Sequence, residues 1–336
     1  MAGVGVAPSS LMGHDKPSLP PPYISFVVIS RNDNYGGFLH RRFQLFLNML
    51  GEAVHRWNVD AELVVVEWNP PMGKPRLLQA YIWPETLRRL RLVHVPLSVH
   101  KTFPNSDRIP LFEWIGKNVG VRRAQGDFIA STNQDIIFSD ELASIFAQRI
   151  LNSSCFHMSR RYNVFVPLHE NMDYDRVQKS ARADGKAARI FATKEDAHWF
   201  REVTPAPIDV GSDGMLSGMT VDRFEQITGD NPGDLVIMDR AQWDRVQGYA
   251  ELPSSSFVDS LLPAAAAASG LCYVLFRAPA AIFHQHHEQE HLSRPRTANL
   301  DQNMQDMVRR KVVQFASGGQ WGLANEDRIQ SIDLHF

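Results

Sequence analysis

Lys117-Asn118-Val119-Gly120-Val121-Arg122-Arg123-Ala124-Gln125-Gly126-Asp127-Phe128-Ile129-Ala130-Ser131-Thr132-Asn133-Gln134-Asp135-Ile136-Ile137-Phe138-Ser139 is the stretch whose reading decides the fold. It reads as a helix that ends in a small-residue turn. A short apolar strand follows and stops at the polar Asn133-Gln134-Asp135. Asn118 and Arg122 stand at i,i+4 spacing and so share one helix face. An acid at the carboxyl end of a buried strand has a use, because open α/β sheets gather metals and ligands at that edge.

Working outward, the same grammar recurs. Residues 23–30 (YISFVVIS) form a β-branched, apolar run that reads as a buried strand. It ends in Arg31-Asn32-Asp33-Asn34-Tyr35-Gly36-Gly37, and a helix with Phe43, Phe46, Leu47 and Leu50 at helical spacing follows over 38–57. Residues 63–67 (LVVVE) are a second strand, closed by Trp68-Asn69-Pro70-Pro71. Residues 90–95 are a third, 111–124 the helix described above, and 127–131 a fourth. Strands alternating with helices imply a mostly parallel sheet with right-handed crossovers. Arg31 and Asn32, Glu67, and Asn133 with Asp135 all fall just past strand carboxyl ends. Further on, a helix is expected over 140–151, strands over 158–166, 233–238, 271–277 and 281–283, and helices over 240–246 and 256–269.

Length and composition bound the rest. The chain has 336 residues, room for one large α/β unit or two modest ones, and its 44% hydrophobic and 21% charged residues are ordinary for a globular protein. A net charge of −2 argues against a dedicated nucleic-acid binder. No run approaches the roughly 18 apolar residues of a membrane span. Residues 1–22, rich in Gly, Ser and Pro, read as a disordered leader and not a signal peptide, so the cytoplasm is the expected compartment. Cys155 and Cys272 are read as two buried thiols. Residues 167–230 carry a weak pattern broken by Pro205, Pro207, Gly211, Gly214 and Gly218, and read either as a mobile loop system or as a small acceptor-binding insert. The tail, 298–336, reads as amphipathic and helical at first.

The block 117–139 resembles the heart of the GT-A glycosyltransferases, family-2-like enzymes in particular, in which N-x-G-x-x-x-A-x-G leads into the strand carrying an Asp-x-Asp metal motif. A second block, Asn231-Pro232-Gly233-Asp234-Leu235-Val236-Ile237-Met238-Asp239-Arg240 with Trp243 and Gly248-Tyr249-Ala250-Glu251, resembles the family's G-D-F-x-L-M-x-R-x-x-W-x-x-x-x-G-Y-x-E run. The resemblance spans residues 24–139 and 229–287, with further traces in Glu67-Trp68-Asn69-Pro70-Pro71 and Ser159-Arg160-Arg161-Tyr162-Asn163-Val164. It departs from the family at Asn133, an amide where the first acid of Asp-x-Asp stands, and in the unmatched insert.

The resemblance implies a GT-A (Rossmann-like) α/β fold: a mostly parallel central sheet flanked by helices, with a smaller acceptor-side subregion. Residues 23–140 would form the nucleotide-sugar-binding half and 141–297 the acceptor and catalytic half. It implies nucleotide contacts at Ser30, Arg31, Asn32, Glu67, Asn118, Arg122 and Asn133. Asp135 would hold Mn²⁺ or Mg²⁺, since a carboxylate suits such ions, and a late histidine, His284 or His287, would complete the shell, with His286 and His291 at the surface. Asp259 matches the family's general base, which takes the acceptor hydroxyl proton; Asp234 is its competitor, the one expected to bind acceptor or sugar hydroxyls.

The function so implied is metal-dependent transfer of a sugar from a nucleotide-diphosphate sugar to an acceptor hydroxyl, with inversion. Two rivals use the same residues differently. Four histidines within 284–291 could form the zinc site of a hydrolase. The Asn133 departure would also permit a sugar-nucleotide-binding protein without turnover.

Overall fold

In the computed structural model the residues described are 20–187, 232–253, 258–276, 279–287, 303–304, 306–307, 310–315 and 318–336. Four strands, β1 (Ile24–Ser30), β2 (Ala61–Trp68), β3 (Arg89–Val95) and β4 (Phe128–Thr132), run parallel, with β1 between β2 and β4. Beyond β4 lie the antiparallel β9 (Leu235–Asp239), then β6 (Cys155–Ser159) and β10 (Cys272–Phe276). β12 (Gln330–His335) closes the other edge, antiparallel to β3. The eight-stranded order is β10-β6-β9-β4-β1-β2-β3-β12, with β9 and β12 running against the rest. This is the α/β class and the mostly parallel sheet that the chain's pattern implies.

Every residue of β1, β2 and β4 is buried, as expected where helices cover both faces of a sheet. Alternation sorts their side chains. Val27, Ile29, Val64 and Val66 face one core with Trp114, Ile115 and Val119 of α4 (Glu113–Arg123), the fourth helix after α1 (Leu39–Trp57) and the one-turn α2 (Leu77–Ala80) and α3 (Leu97–His100). Phe26, Val28, Leu63 and Val65 face the other core with Phe43, Phe46, Leu47 and Leu50 of α1. The α4 helix lies close on β1 and β2 because two of its residues lack a Cβ. A methyl on Gly116 would stand 2.0 Å from Ile29 Cδ1, and one on Gly120 2.4 Å from Val27 Cγ1 and 2.9 Å from Val66 Cγ2.

A second sheet, in the order β5 (Ile136–Phe138), β11 (Ile282–Gln285), β7 (Arg161–Val164), β8 (Lys186–Ala187), was not expected from the pattern. The run read as a single strand over 158–166 breaks at Arg160: β6 stays in the large sheet and β7 enters the small one. Four further α-helices, α5 (Asp140–Ala147), α6 (Tyr174–Asp184), α7 (Arg240–Val246) and α8 (Leu261–Ala268), and a 3₁₀ turn at Gly318–Gln320 complete the described elements. A third core joins Leu45, Met49 and Ala53 of α1 to Ile137, Val164 and Phe283 of the small sheet.

One expectation is overturned. Cys155 and Cys272 are not free thiols; they form a disulfide. The parallel pairing of β6 with β10 sets the two residues directly opposite, with Cα atoms 4.3 Å apart, a register that spacing along the chain does not reveal. The tail ends in a strand, β12, because its backbone completes the open edge of β3. The expected insert begins with α6 and β8; its remainder, like most of the expected leader, lies outside the described residues. Among the described residues no helix is long and apolar enough to cross a membrane.

The close approach of α4 makes a stability prediction. Gly120→Val places three carbons where Val27 and Val66 already stand, so overpacking should lower stability by about 3 kcal/mol. A urea melt should show a lower midpoint with an unchanged slope; an unchanged midpoint would mean that α4 does not sit this close to the sheet.

Candidate active site

The site begins where β4 ends. Asp135, just before β5, receives a hydrogen bond from the Gln285 backbone N–H on its carbonyl (3.2 Å), which brings the end of β11 against it. His284 Nε2 then lies 3.7 Å and His287 Nε2 3.2 Å from Asp135 Oδ2. One donor atom from each of the three lies within 4.8 Å of the others. His284 Nδ1 donates to Asn163 Oδ1 (3.1 Å), which fixes the ring and leaves Nε2 turned to Asp135. Such a partner behind an imidazole is what a metal-binding histidine needs. Burial lowers the His284 pKa to about 4, so the ring is neutral and its Nε2 lone pair is available at neutral pH. Burial opposes ionisation of Asp135, but His284, His287 and Arg42 outweigh it and hold the carboxyl well below the usual carboxylate range.

Arg42 had no place in the sequence reading. It is buried on α1 and donates from Nη1 to Asp135 Oδ2, and from Nη2 to the Tyr35 (2.6 Å) and Gly37 (3.2 Å) carbonyls. It thereby ties the loop after β1 to the acid after β4. Its cue, one basic residue in a helix of mixed polarity, does not separate it from the neighbouring Arg41.

A second cluster adjoins the first. Asn133 Nδ2 donates to Asp234 Oδ1 (3.0 Å), and Arg161 Nη1 to Asp234 Oδ2 (2.9 Å). Asn133 Oδ1 in turn accepts from the fully buried Lys117 (2.7 Å). Asp259 packs on the same turn: a Cβ built on Gly233 would stand 2.9 Å from its Oδ2. Burial, reinforced by Glu113 and Asp234 and opposed by Lys117, raises the Asp259 pKa to about 6. Lys117 and Arg161, which hold Asn133 and Asp234 in place, also escaped the sequence reading. Lys117 stands at i,i+4 from Glu113, a pattern shared with ordinary solvated helix pairs.

The residues expected to meet a nucleotide divide. Ser30, Glu67 and His94 lie in register across the carboxyl ends of β1, β2 and β3. The buried Ser30 Oγ has no hydrogen-bond partner. Glu67 pairs with Arg76 and accepts from the Leu77 backbone N–H (2.8 Å), closing the first turn of α2. Arg31 donates to the Asn69 carbonyl (2.7 Å) and to Asp33 (2.9 Å), and Asn32 to the Pro75 carbonyl (2.7 Å). Arg31 and Asn32 shape the edge of the sheet from its loops, and Glu67 from the end of β2.

Asn118 and Arg122 do not face that edge. Asn118 is fully buried, donates to the Tyr249 carbonyl (2.9 Å) and Glu251 (3.0 Å), and accepts from the Tyr249 N–H (2.8 Å). Gly248, with φ of +69°, allows this approach, since a Cβ there would lie 2.2 Å from Asn118 Oδ1. Arg122 sits over the Trp321 ring at 4.9 Å. The helix turns this face toward the Gly248–Glu251 turn and the C-terminal segment, away from the strand ends. His286 is described and lies 4.4 Å, ring to ring, from Phe165, while His291 falls outside the described residues.

No protein-family model and no characterised protein matches the chain by sequence. Among solved structures, S. aureus TarS 1-349 in complex with UDP-GlcNAc aligns at 13% identity and a TM-score of 0.48, over 86% of this chain and 65% of that one. S. aureus TarS aligns at 12% and 0.48, over 86% and 43%, and S. aureus TarS 1-349 alone at 13% and 0.44, over 78% and 60%. This chain therefore spans less than two thirds of the length of each. At such identity and scores the likeness carries neither activity nor substrate over to this chain.

The raised pKa of Asp259 has a measurable consequence. With a folded pKa of about 6 against an ordinary 3.8, the group supports folding most below pH 3.8, and that support is lost as pH rises through 6. Asp259→Asn lacks this loss. The variant should gain on the wild type between pH 4 and 6 and hold a gain of about 3 kcal/mol above that window. Urea midpoints across pH 4 to 8 check it; a difference that stays flat would show that Asp259 titrates as an ordinary carboxyl.

Proposed function

We propose that the chain is a glycosyltransferase that moves a sugar from a nucleotide-diphosphate sugar to an acceptor hydroxyl. The observation that carries this reading is one site holding two kinds of acid at the sheet's carboxyl edge. Asp135 is held ionised beside two imidazoles, and Asp259, across the Asn133–Asp234 bridge, has a pKa raised to about 6. Two carboxyls pushed apart in acidity, in one site, is the arrangement that separates an electrostatic role from a proton-transfer role. The two spans that resemble GT-A glycosyltransferases, 24–139 and 229–287, supply these residues.

Asp135, His284 and His287 fit a divalent ion: one ionised carboxylate, one imidazole held neutral and oriented by Asn163, and a second imidazole within reach. Two nitrogen donors of three favour Mn²⁺ over Mg²⁺. When bound, such an ion neutralises charge that develops on a leaving diphosphate. Arg42 adds a permanent positive charge at the same place. Ser30, Arg31, Asn32 and Glu67 form the edge against which the nucleotide lies, and Asn133 stands between the two clusters.

Asp259 is the base. Its carboxylate takes the proton of the acceptor hydroxyl as that oxygen forms its bond to the anomeric carbon. The bond from that carbon to the diphosphate oxygen breaks, and the electron pair leaves with the diphosphate. A single displacement of this kind inverts the anomeric centre. A pKa near 6 leaves the base mostly ionised at pH 7 and still well matched to proton transfer. Asp234, held by Arg161 and Asn133, fixes the hydroxyls beside the reacting carbon.

Thermal shifts with UDP, GDP, TDP and CMP and their sugars, with and without Mn²⁺, test the reading. A nucleotide at about 100 times its dissociation constant stabilises by about 2.7 kcal/mol. A Mn²⁺-dependent shift with one nucleotide, lost in Asp135→Ala, is the expected result. Asp259→Asn should keep that shift and lose about 10²–10⁴-fold in transfer rate, read by released nucleotide diphosphate. A shift with Zn²⁺ alone and none with any nucleotide would overturn the reading in favour of a zinc hydrolase, whose ligand set these residues also suit. Nucleotide binding with no turnover on any acceptor would leave a binding protein.

A further inference from the structure

Lys117 is fully buried on α4, in the middle of the site, and none of the roles above uses it. A lysine is almost never fully buried unless its charge is paired, because taking an ammonium out of water is costly. Its Nζ lies 2.7 Å from Asn133 Oδ1, 2.7 Å from the Gly233 carbonyl and 3.2 Å from Glu113 Oε1. An ammonium has three N–H donors, and these partners engage all of them. The Trp114 and Tyr249 rings cover it, with the nitrogen 4.7 Å and 6.0 Å from their centroids. No donor is left for a substrate.

Each of the three bonds reaches a different part of the site. The bond to Asn133 Oδ1 dictates which way that amide points, so that its Nδ2 meets Asp234. The bond to Gly233 pins the turn on which Asp259 packs. The bond to Glu113 partly neutralises an acid that otherwise faces Asp259. We propose that Lys117 is the positioning residue of the transfer site: from inside the core it holds Asn133 and the Gly233–Asp234 turn in one frame and supplies the positive charge that keeps Asp259 able to ionise. The inference rests on the glycosyltransferase reading for its consequence in rate, and on the geometry together with the charges around Asp259 for its consequence in acidity.

The charged and titratable groups that act on Asp259 come from three places: Glu113 and Lys117 on α4, Asp234 beside β9, and Tyr249 after α7. Lys117 is the cation among them. Lys117→Met keeps the length of the side chain and removes the charge, so Asp259 should ionise only at higher pH. Glu113→Gln removes an acid at a partly exposed position and should move Asp259 the other way. This second variant guards against misfolding of the first, since Gln still offers an oxygen to Lys117.

The experiment is an NMR titration of the Asp259 side-chain carboxyl in wild type, Lys117→Met and Glu113→Gln, together with pH profiles of transfer. We expect the Asp259 midpoint and the acidic limb of kcat/KM to move up in Lys117→Met and down in Glu113→Gln. In Lys117→Met kcat should fall by at least about tenfold while KM for the nucleotide sugar stays within about threefold, as for a base mispositioned with the donor site intact. If Lys117→Met does not fold, the direction of the Glu113→Gln midpoint decides. Midpoints that stay in place in the folded variants would overturn the proposal. Absence of transfer by the wild type, with the midpoints moving as stated, would overturn the glycosyltransferase reading and leave Lys117 as the residue that frames Asp259.

Discussion

The close seating of α4 on β1 and β2 is the constraint on which the rest depends. Two glycines one turn apart let the helix backbone come within van der Waals reach of Val27, Ile29 and Val66. At that distance the residues between and beside the glycines have nowhere to go but inward. Lys117 and Asn118 are polar, so each must be satisfied inside the protein. Lys117 is satisfied by the Asn133 amide and the Gly233 carbonyl, Asn118 by the Gly248–Glu251 turn. One helix thus organises both the polar end of β4 and the segment around β9 and α7.

The second sheet does the complementary task. It is small, but it carries β5 straight out of the Asp135 loop and pairs it antiparallel with β11, so that His284 returns opposite Ile136. The third core locks this sheet to α1, whose Arg42 reaches the same carboxylate. Histidines nearly 150 residues downstream meet Asp135 because a three-residue strand has a partner. Asp259 reaches the site by another route, the turn at Gly233, where the missing Cβ leaves room for its carboxylate. The metal-type cluster and the proton-accepting carboxyl are therefore placed by separate elements, with Asn133, Asp234 and Arg161 between them.

Asn133 shows how a departure from a motif can be informative. An acid at that position would face the Asp234 carboxylate at hydrogen-bond distance, and two like charges there would raise one another's pKa. The amide instead accepts from Lys117 and donates to Asp234, satisfying a cation and an anion at once. A second carboxylate is thereby kept out of the network around Asp234 and Asp259, whose Asp234 and Arg161 also act on His284 beside Asp135.

The sequence by itself determined the α/β class, the four parallel strands and the helices that cross between them, because burial on both faces leaves unbroken apolar runs such as FVVI and LVVV. Asp135 stood out as an acid at the end of such a run, whereas Asp234, Asp259 and the histidines were singled out by the resemblance to the GT-A glycosyltransferases. What it could not show was direction. Asn118 has the same spacing from Arg122 whether their face meets a ligand or the Gly248 turn, and only the packing of α4 decided for the turn. Cys155 and Cys272 carry no local sign of pairing; the register of β6 against β10 made them neighbours. Arg42 and Lys117 look like any basic residue of an exposed helix face, because periodicity records how often a side chain recurs and not which buried carboxylate or carbonyl, far off in the chain, will meet its charge. That choice belongs to the tertiary structure, since a buried charge is tolerable only where distant partners converge on it.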